Sequence, residues 1–298
     1  MDRTVVVTAA YEQPDGRCAQ LAASLVAAAS RVPGLGLVMA LEDGHDGAGV
    51  ADRVADAMPV LRAPTRLRAD PPALRAAAID AALRAGAEVA VMIDYDDVLR
   101  EDAVHRHVSA LRAGASFSYG DMELVGPGGE PLGTTLYSGC DVPEGVSRAE
   151  QLAERNFLGF SNTALAASAL RDCAPAPAGI VAADWWLFCR LLGLGHRGAR
   201  VPGAVADYRQ YSGNTLGAGA SAGGTDLRRR LSIMMAHYRA FPDAPWARAR
   251  LAAIERALPR IDAVPADALP AAGNGPWFEA ISRWIDDLAP QAGRDRAS

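Results

Sequence analysis

The chain contains no lysine, so all 30 of its basic side chains are arginine. That excludes a lysine Schiff base, a lysine-bearing phosphate loop and a lysine general base. Cysteine is scarce as well. Cys18, Cys140, Cys173 and Cys189 are scattered, with no Cys-x-x-Cys pair and no His at ligand spacing, which argues against both a zinc site and a disulfide framework. Long apolar runs are missing. The longest are strand-length or broken by Arg, Asp or Gly, and Met1-Asp2-Arg3-Thr4 leads straight into a strand pattern with no signal-peptide profile, so a soluble, cytoplasmic protein without a membrane span is expected. A formal charge of −5 weighs against a nucleic-acid-binding surface as the main function, and Arg228-Arg229-Arg230 reads as a solvated helix face.

What is present is an alternation of strand and helix patterns. Half of the 298 residues are hydrophobic, and the length suits one large α/β domain with an extension or two small domains around a shared core. Strands are predicted over Thr4 to Ala9, Leu35 to Leu41 and Val60 to Ala63, with helices over about Cys18 to Ser30 and Asp52 to Met58 between them. Pro71-Pro72 suit the first turn of a helix that runs from Ala73 to Ala85 and stops at Gly86. This repetition implies a doubly wound, mostly parallel sheet. Further on, the pattern predicts a helix over Ala103 to Ala113, a short strand over Ser116 to Tyr119, and a hairpin-like turn inside Met122 to Leu136. Helices are expected over Arg148 to Glu154 and Ala182 to Leu192, and Ala199 to Tyr208 returns to the sheet. From Asp226 the chain reads as helical and Pro-punctuated. Trp246, Trp277, Phe278 and Trp284 there sit in amphipathic surroundings, and packing over the core is the default reading, with a homodimer or membrane-surface contact as alternatives.

The fourth strand pattern, Val89 to Ile93, ends in Asp94-Tyr95-Asp96-Asp97. Open α/β sheets bind ligands at the C-terminal ends of their strands. Carboxylates this close repel one another, and a hard cation with oxygen ligands, Mg²⁺ or Mn²⁺, would offset that repulsion. A solvated acidic turn is the plain alternative.

Glu42-Asp43-Gly44 after the second strand, Asp94-Tyr95-Asp96-Asp97 after the fourth, then Ala183-Asp184-Trp185 and Tyr208-Arg209-Gln210-Tyr211-Ser212-Gly213-Asn214 follow in an order that resembles family-2-type inverting glycosyltransferases of the GT-A fold. The resemblance covers roughly residues 4 to 217. It implies an α/β fold with a sheet flanked by helices, a nucleotide-sugar-binding half over 1–120, an acceptor-binding half over 121–220 and a helical C-terminal extension over 221–298. It further implies a nucleotide-diphosphate sugar donor and a hydroxyl acceptor. Asp94 and Asp96 would hold Mn²⁺ or Mg²⁺, and Asp97 would ligate the metal or orient a ligand. Asp43 would accept a hydrogen bond from the nucleobase. Ala9, Tyr11 and Tyr95 would line the donor, with Arg75 near its phosphates, Arg209 gripping the diphosphate and Gln210 assisting. Asp184 would be the catalytic base. Trp185 and Trp186 would stack on the acceptor, or pack in the core. Tyr211 stands where related chains commonly place a metal-binding His.

Other readings share parts of this pattern. Asp94-Tyr95-Asp96-Asp97-Val98 also fits the Asp-x-Asp-x-Val signature of haloacid-dehalogenase-type phosphatases, but those place it on an early strand and need a later cation, normally Lys. A sugar nucleotidyltransferase would carry a Gly-rich basic loop where Ala9-Ala10-Tyr11-Glu12 stands. A non-catalytic nucleotide-sugar-binding protein would bind donor without turnover.

Overall fold

The structure, a computed structural model, describes residues 3–211, 224–261 and 276–288. Its first strand, β1 (Thr4–Ala10), is buried along its whole length. Such a run of Val and Ala suits a strand covered on both faces. β1 pairs in parallel with β2 (Gly36–Leu41) on one side and with β4 (Val89–Met92) on the other. β3 (Val60–Pro64) continues the parallel set beyond β2 as a more exposed edge.

The connecting helices α1 (Asp15–Arg31), α2 (Ala48–Val54), α3 (Pro71–Arg84) and α4 (Ala103–Arg112) flank this sheet. α1 packs on α2 and α4, whereas α3 packs on β1, β2 and the short α5 (Ala167–Asp172). Asp70 caps α3 by accepting from the Ala73 N–H at 3.1 Å, ahead of Pro71 and Pro72. That cap fixes where the helix bearing Arg75 begins.

The second half extends the same sheet. β5 (Val98–Leu99), β6 (Phe117–Val125), β7 (Pro131–Thr135), β8 (Gly145–Val146), β9 (Thr163–Ala166) and β10 (Gly198–Arg209) give the order β3-β2-β1-β4-β9-β6-β10-β5, with β7 on β6 and β8 on β10. β9 runs antiparallel to both β4 and β6, so β6 and β10 point the same way as β1 to β4. The six main strands are therefore codirectional, as predicted.

Several boundaries differ. β9 falls in a stretch to which the sequence assigns no element, because four residues are too few to display an alternation. β6 runs six residues past the predicted Tyr119 end, since Gly120 is no break here: a Cβ there would lie 2.5 Å from Val205 of the neighbouring strand. α2 starts at Ala48 rather than Asp52, after Gly47 takes a left-handed conformation and Asp46 caps Ala48. The helix expected over Arg148 to Glu154 is a single 3-10 turn, Ala149–Leu152.

Past α6 (Ala183–Gly193) come the helices of the extension, α7 (Gly224–Arg239), α8 (Pro245–Ile261) and α9 (Glu279–Leu288). They pack on the second half. The Trp185 ring lies between His237 and Phe278, and the Tyr238 hydroxyl donates to the Ala153 carbonyl at 2.7 Å. Among the described residues no helix is long and apolar enough to cross a membrane.

Candidate active site

β4 ends at Met92, and the turn that follows is closed by the Asp97 N–H donating to the Asp94 carbonyl at 3.2 Å. This turn separates the three carboxylates. Asp94 and Asp96 line a cleft at the strand end, while Asp97 is buried behind it. Both Asp94 oxygens are held by Arg75, Nε at 2.9 Å and Nη2 at 2.7 Å, in the two-donor fork that guanidinium makes with carboxylate. Burial raises the Asp94 pKa, and Arg75 works against that rise. Asp96 accepts from two phenols, Tyr11 at 3.3 Å and Tyr211 at 2.7 Å. The Tyr211 hydroxyl is pushed up to about 12 by burial and by Asp96, and Tyr11 rises further for the same reasons, so both remain donors.

Asp97 does not reach the cleft. Ser161 Oγ donates to one of its oxygens and the Arg209 backbone N–H to the other at 2.9 Å. Ser161 Oγ also accepts the Asp94 N–H at 3.0 Å, so one hydroxyl ties the two ends of the turn together. Burial holds the Asp97 carboxyl well above the usual carboxylate range. The expectation that Asp97 ligates a metal is corrected on this ground: both its oxygens serve the turn. Among the described residues no three His, Cys, Asp or Glu side chains are grouped to hold a cation.

Asp184 lies in the first turn of α6 and lines the same cleft as Asp94 and Asp96. Its Oδ1 accepts the Trp185 N–H at 2.8 Å. Burial raises its pKa, with the Arg75 charge and that backbone hydrogen bond pulling it back. Arg75, its guanidinium 5.3 Å from the Phe160 ring centroid, thus acts electrostatically on two cleft carboxylates at once.

Other predicted contacts lie elsewhere. Arg209 is 1% exposed, and its guanidinium donates to the Asp96 carbonyl at 2.8 Å, the Pro127 carbonyl at 3.0 Å and Gln20 Oε1 at 2.5 Å. It is committed to backbone and amide acceptors that join the acidic turn to the β6–β7 hairpin and α1, which leaves it no fork for a diphosphate. Gln210 bonds to the Val125 and Arg209 carbonyls and does not line the cleft. Ala9 is buried in β1 opposite Ala40. The Tyr95 ring is fully buried, tilted on Tyr11 at 6.1 Å and edge-on to His45 at 5.9 Å, so it supports Tyr11 from behind. Asp43 stays exposed after β2 and pairs with Arg68 at 2.7 Å.

The aromatic expectation is corrected too. The Trp185 ring is stacked on His237 at 3.7 Å and donates its Nε1–H to the Leu152 carbonyl, deep in the core, and Trp186 is buried outside the cleft. In their place the cleft is lined by Tyr208 of β10 and by Trp277 and Phe278 of the extension. Phe160, Ser161 and Asn156 were also unassigned from the sequence, since no periodicity marks the irregular stretch that holds them. The end of the last motif, Ser212-Gly213-Asn214, lies outside the described residues.

No protein-family model matches the chain, and no curated protein matches its sequence. Solved structures do match its fold. S. aureus TarS 1-349 has a TM-score of 0.58 at 11% identity, over 86% of this chain and 70% of that one. The same protein in complex with UDP-GlcNAc gives 0.56 at 13% identity, over 86% and 71%. The mannosyltransferase PcManGT from Pyrobaculum calidifontis, in complex with GDP-Man and Mn²⁺, gives 0.58 at 16% identity, over 88% and 73%. With six codirectional strands, a carboxylate turn at the end of β4 and these likenesses along most of its length, the chain has the GT-A glycosyltransferase fold.

Proposed function

We propose that the protein is a nucleotide-sugar-dependent glycosyltransferase that moves a sugar from a nucleotide diphosphate to an acceptor hydroxyl with inversion. The observation that carries this reading is the convergence of Asp94, Asp96 and Asp184, from chain positions ninety residues apart, on one cleft with Arg75 among them. The fold adds support: the two neighbours solved with nucleotide sugars share its architecture.

In this reading Asp184 takes the proton of the acceptor hydroxyl as that oxygen attacks the anomeric carbon from the face opposite the leaving diphosphate. Burial raises its pKa, which strengthens it as a base, and the Arg75 charge limits that rise. Asp94 holds Arg75 in place through the two-point pair, and the guanidinium offers positive charge to the phosphate oxygens as negative charge develops there. Tyr11 borders the donor, and Asp43, an acceptor-only group, faces an imide or amide N–H of the base.

Asp96 is the residue that would hold Mg²⁺ or Mn²⁺. Its oxygens suit a hard cation, and its present partners are neutral phenols, whereas Asp94 is bound to Arg75 and Asp97 is enclosed. One protein carboxylate completed by diphosphate oxygens and water is an ordinary magnesium set. When bound, the cation would neutralise charge on the departing diphosphate.

The test is a thermal-stability screen of UDP, GDP, CDP and ADP and their sugars, with and without Mn²⁺, followed by NMR of the anomeric configuration of any product. Stabilisation by a nucleotide diphosphate and an inverted product are expected. No stabilisation by any of them would overturn the reading, and binding without turnover on any acceptor would favour a non-catalytic nucleotide-sugar-binding protein.

A further inference from the structure

The wall of the cleft next to Asp184 is apolar and comes from three separate segments. Val181, 36% exposed, stands three residues before Asp184, so the segment that delivers the proposed base delivers an open aliphatic side chain to the same space. Tyr208 comes from β10, and its ring meets Trp277 edge to face at 5.7 Å. Trp277 is pinned from both sides. Its carbonyl accepts the Asn156 N–H at 2.9 Å, and its ring lies so close to Gly159 that a Cβ there would sit 2.8 Å from Cη2. The next residue, Phe278, has φ +71, a left-handed conformation that is costly for a bulky side chain. It is held there by its ring stacked on Trp185 at 4.9 Å. The turn sets both residues at the cleft, with the Phe278 ring backed by the core through Trp185, and strain of this kind persists where its surroundings over-determine it.

The charge of the cleft points the same way. Its charged lining consists of Asp94, Asp96, Asp184 and Arg75, and Arg75 is engaged with Asp94. A phosphate on the acceptor would add like charge beside Asp94, Asp96 and Asp184, and among the described lining residues the one arginine is already paired; Arg17 stands outside the lining, over the Tyr211 ring at 4.0 Å.

Resting on the glycosyltransferase reading, we infer that Val181, Tyr208 and Trp277 form the acceptor-binding wall, and that the acceptor presents an uncharged pyranose ring. A pyranose offers a C–H face to aromatic and aliphatic side chains and a hydroxyl edge to a carboxylate. That combination matches an apolar pocket with few polar groups. The C-terminal extension is then part of the acceptor site.

Saturation-transfer NMR on the full chain tests this, with its best-binding nucleotide diphosphate present. The probes are the methyl pyranosides of glucose, galactose and mannose and the 6-phosphates of the three sugars. At least one neutral pyranoside should bind through its ring C–H protons, and its 6-phosphate should bind at least about fivefold more weakly. Trp277→Ala should weaken neutral binding about five- to tenfold, with Trp277→Phe retaining most of it, because a ring contact is worth about 0.5–1.5 kcal/mol. Val181→Arg, at an exposed position where folding is preserved, should raise 6-phosphate binding relative to neutral binding while nucleotide affinity stays constant. A wild-type preference for the 6-phosphates, no neutral binding alongside normal nucleotide binding, or neutral binding indifferent to all three substitutions overturns the inference alone. Absence of nucleotide binding overturns the glycosyltransferase reading beneath it.

Discussion

The carboxylate wall of the cleft and its aromatic wall are held by different forces. Asp94, Asp96 and Asp97 occupy one turn, and each oxygen has a named donor from Arg75, Tyr11, Tyr211, Ser161 or the Arg209 backbone. Such a network is directional, and removing one member leaves another buried group unpaired. Val181, Tyr208 and Trp277 come from a loop, a strand and the extension, and are held by ring contacts and a single backbone bridge. Van der Waals contacts fix a surface without fixing its chemistry. On this account the polar wall sets the reaction and the aromatic wall sets what enters it. Substitutions should divide accordingly, into rate or stability effects on one side and acceptor KM effects on the other.

The sharpest break comes at Asp184. Asp184→Asn keeps the shape and removes the base, so turnover should fall about 10²- to 10⁴-fold while nucleotide affinity, read by calorimetry, stays within about twofold. Lost affinity in a normally folded variant would move Asp184 from the chemistry to donor binding.

Asp97 should respond as structure rather than as chemistry. Asp97→Ala strands the Ser161 hydroxyl and the Arg209 N–H, at about 1–3 kcal/mol each, and should lower the urea midpoint accordingly. Because burial raises its folded pKa, Asp97 lends stability that is fully present below the ordinary carboxylate pKa and is lost as pH rises toward the folded value. Asp97→Asn, which cannot titrate, should therefore show a flatter decline in stability with rising pH than the wild type. Equal slopes would mean that folding does not raise the Asp97 pKa.

Arg75 ties the two functions of the polar wall together. Arg75→Gln removes the cation beside Asp94 and Asp184, and nucleotide-diphosphate affinity should fall about tenfold, as for loss of a charge-assisted hydrogen bond. The sign for the pH profile follows from Asp184. Its base form is the active one, so rate rises with pH through its pKa, which burial raises and Arg75 lowers. Without Arg75 that pKa climbs, and the acid limb of kcat should move to higher pH. A limb that stays in place would place Arg75 outside the reach of the base.

How far these residues could be read from the sequence follows the same division. The strand end carrying Asp94 and Asp96 is legible because an apolar run stopping at three acids is a local pattern. Asp184 needed the order of motifs, since an Asp opening a helix is locally indistinguishable from a cap. Arg209 misled because the motif identifies the residue but not its rotamer: the side chain turns inward to carbonyls of the β6–β7 hairpin, whose proximity depends on tertiary pairing. Trp185 misled for a related reason, as its covering residues His237 and Phe278 lie at least fifty positions away. Trp277 read only as a packing aromatic, with no local signal of a place in the cleft. Its role depends on a bridge to Asn156 and on a missing Cβ at Gly159, neither of which has a period to detect.

The smallest effect is expected at Asp43, the one predicted donor contact on the open surface. Its pair with Arg68 joins side chains 40% and 75% exposed, so breaking it should change stability by less than about 1 kcal/mol. Any loss on Asp43→Ala then reports on ligand rather than fold. If Asp43 accepts from the base, affinity should drop several-fold for nucleotides with an imide or amide N–H, UDP or GDP, and hardly at all for CDP, whose ring nitrogen at that edge is an acceptor. Asp43→Asn, which keeps one acceptor oxygen, should fall between. A uniform loss across all three bases would show Asp43 acting through its charge on the phosphates, and the carboxylate wall would then extend to the end of β2.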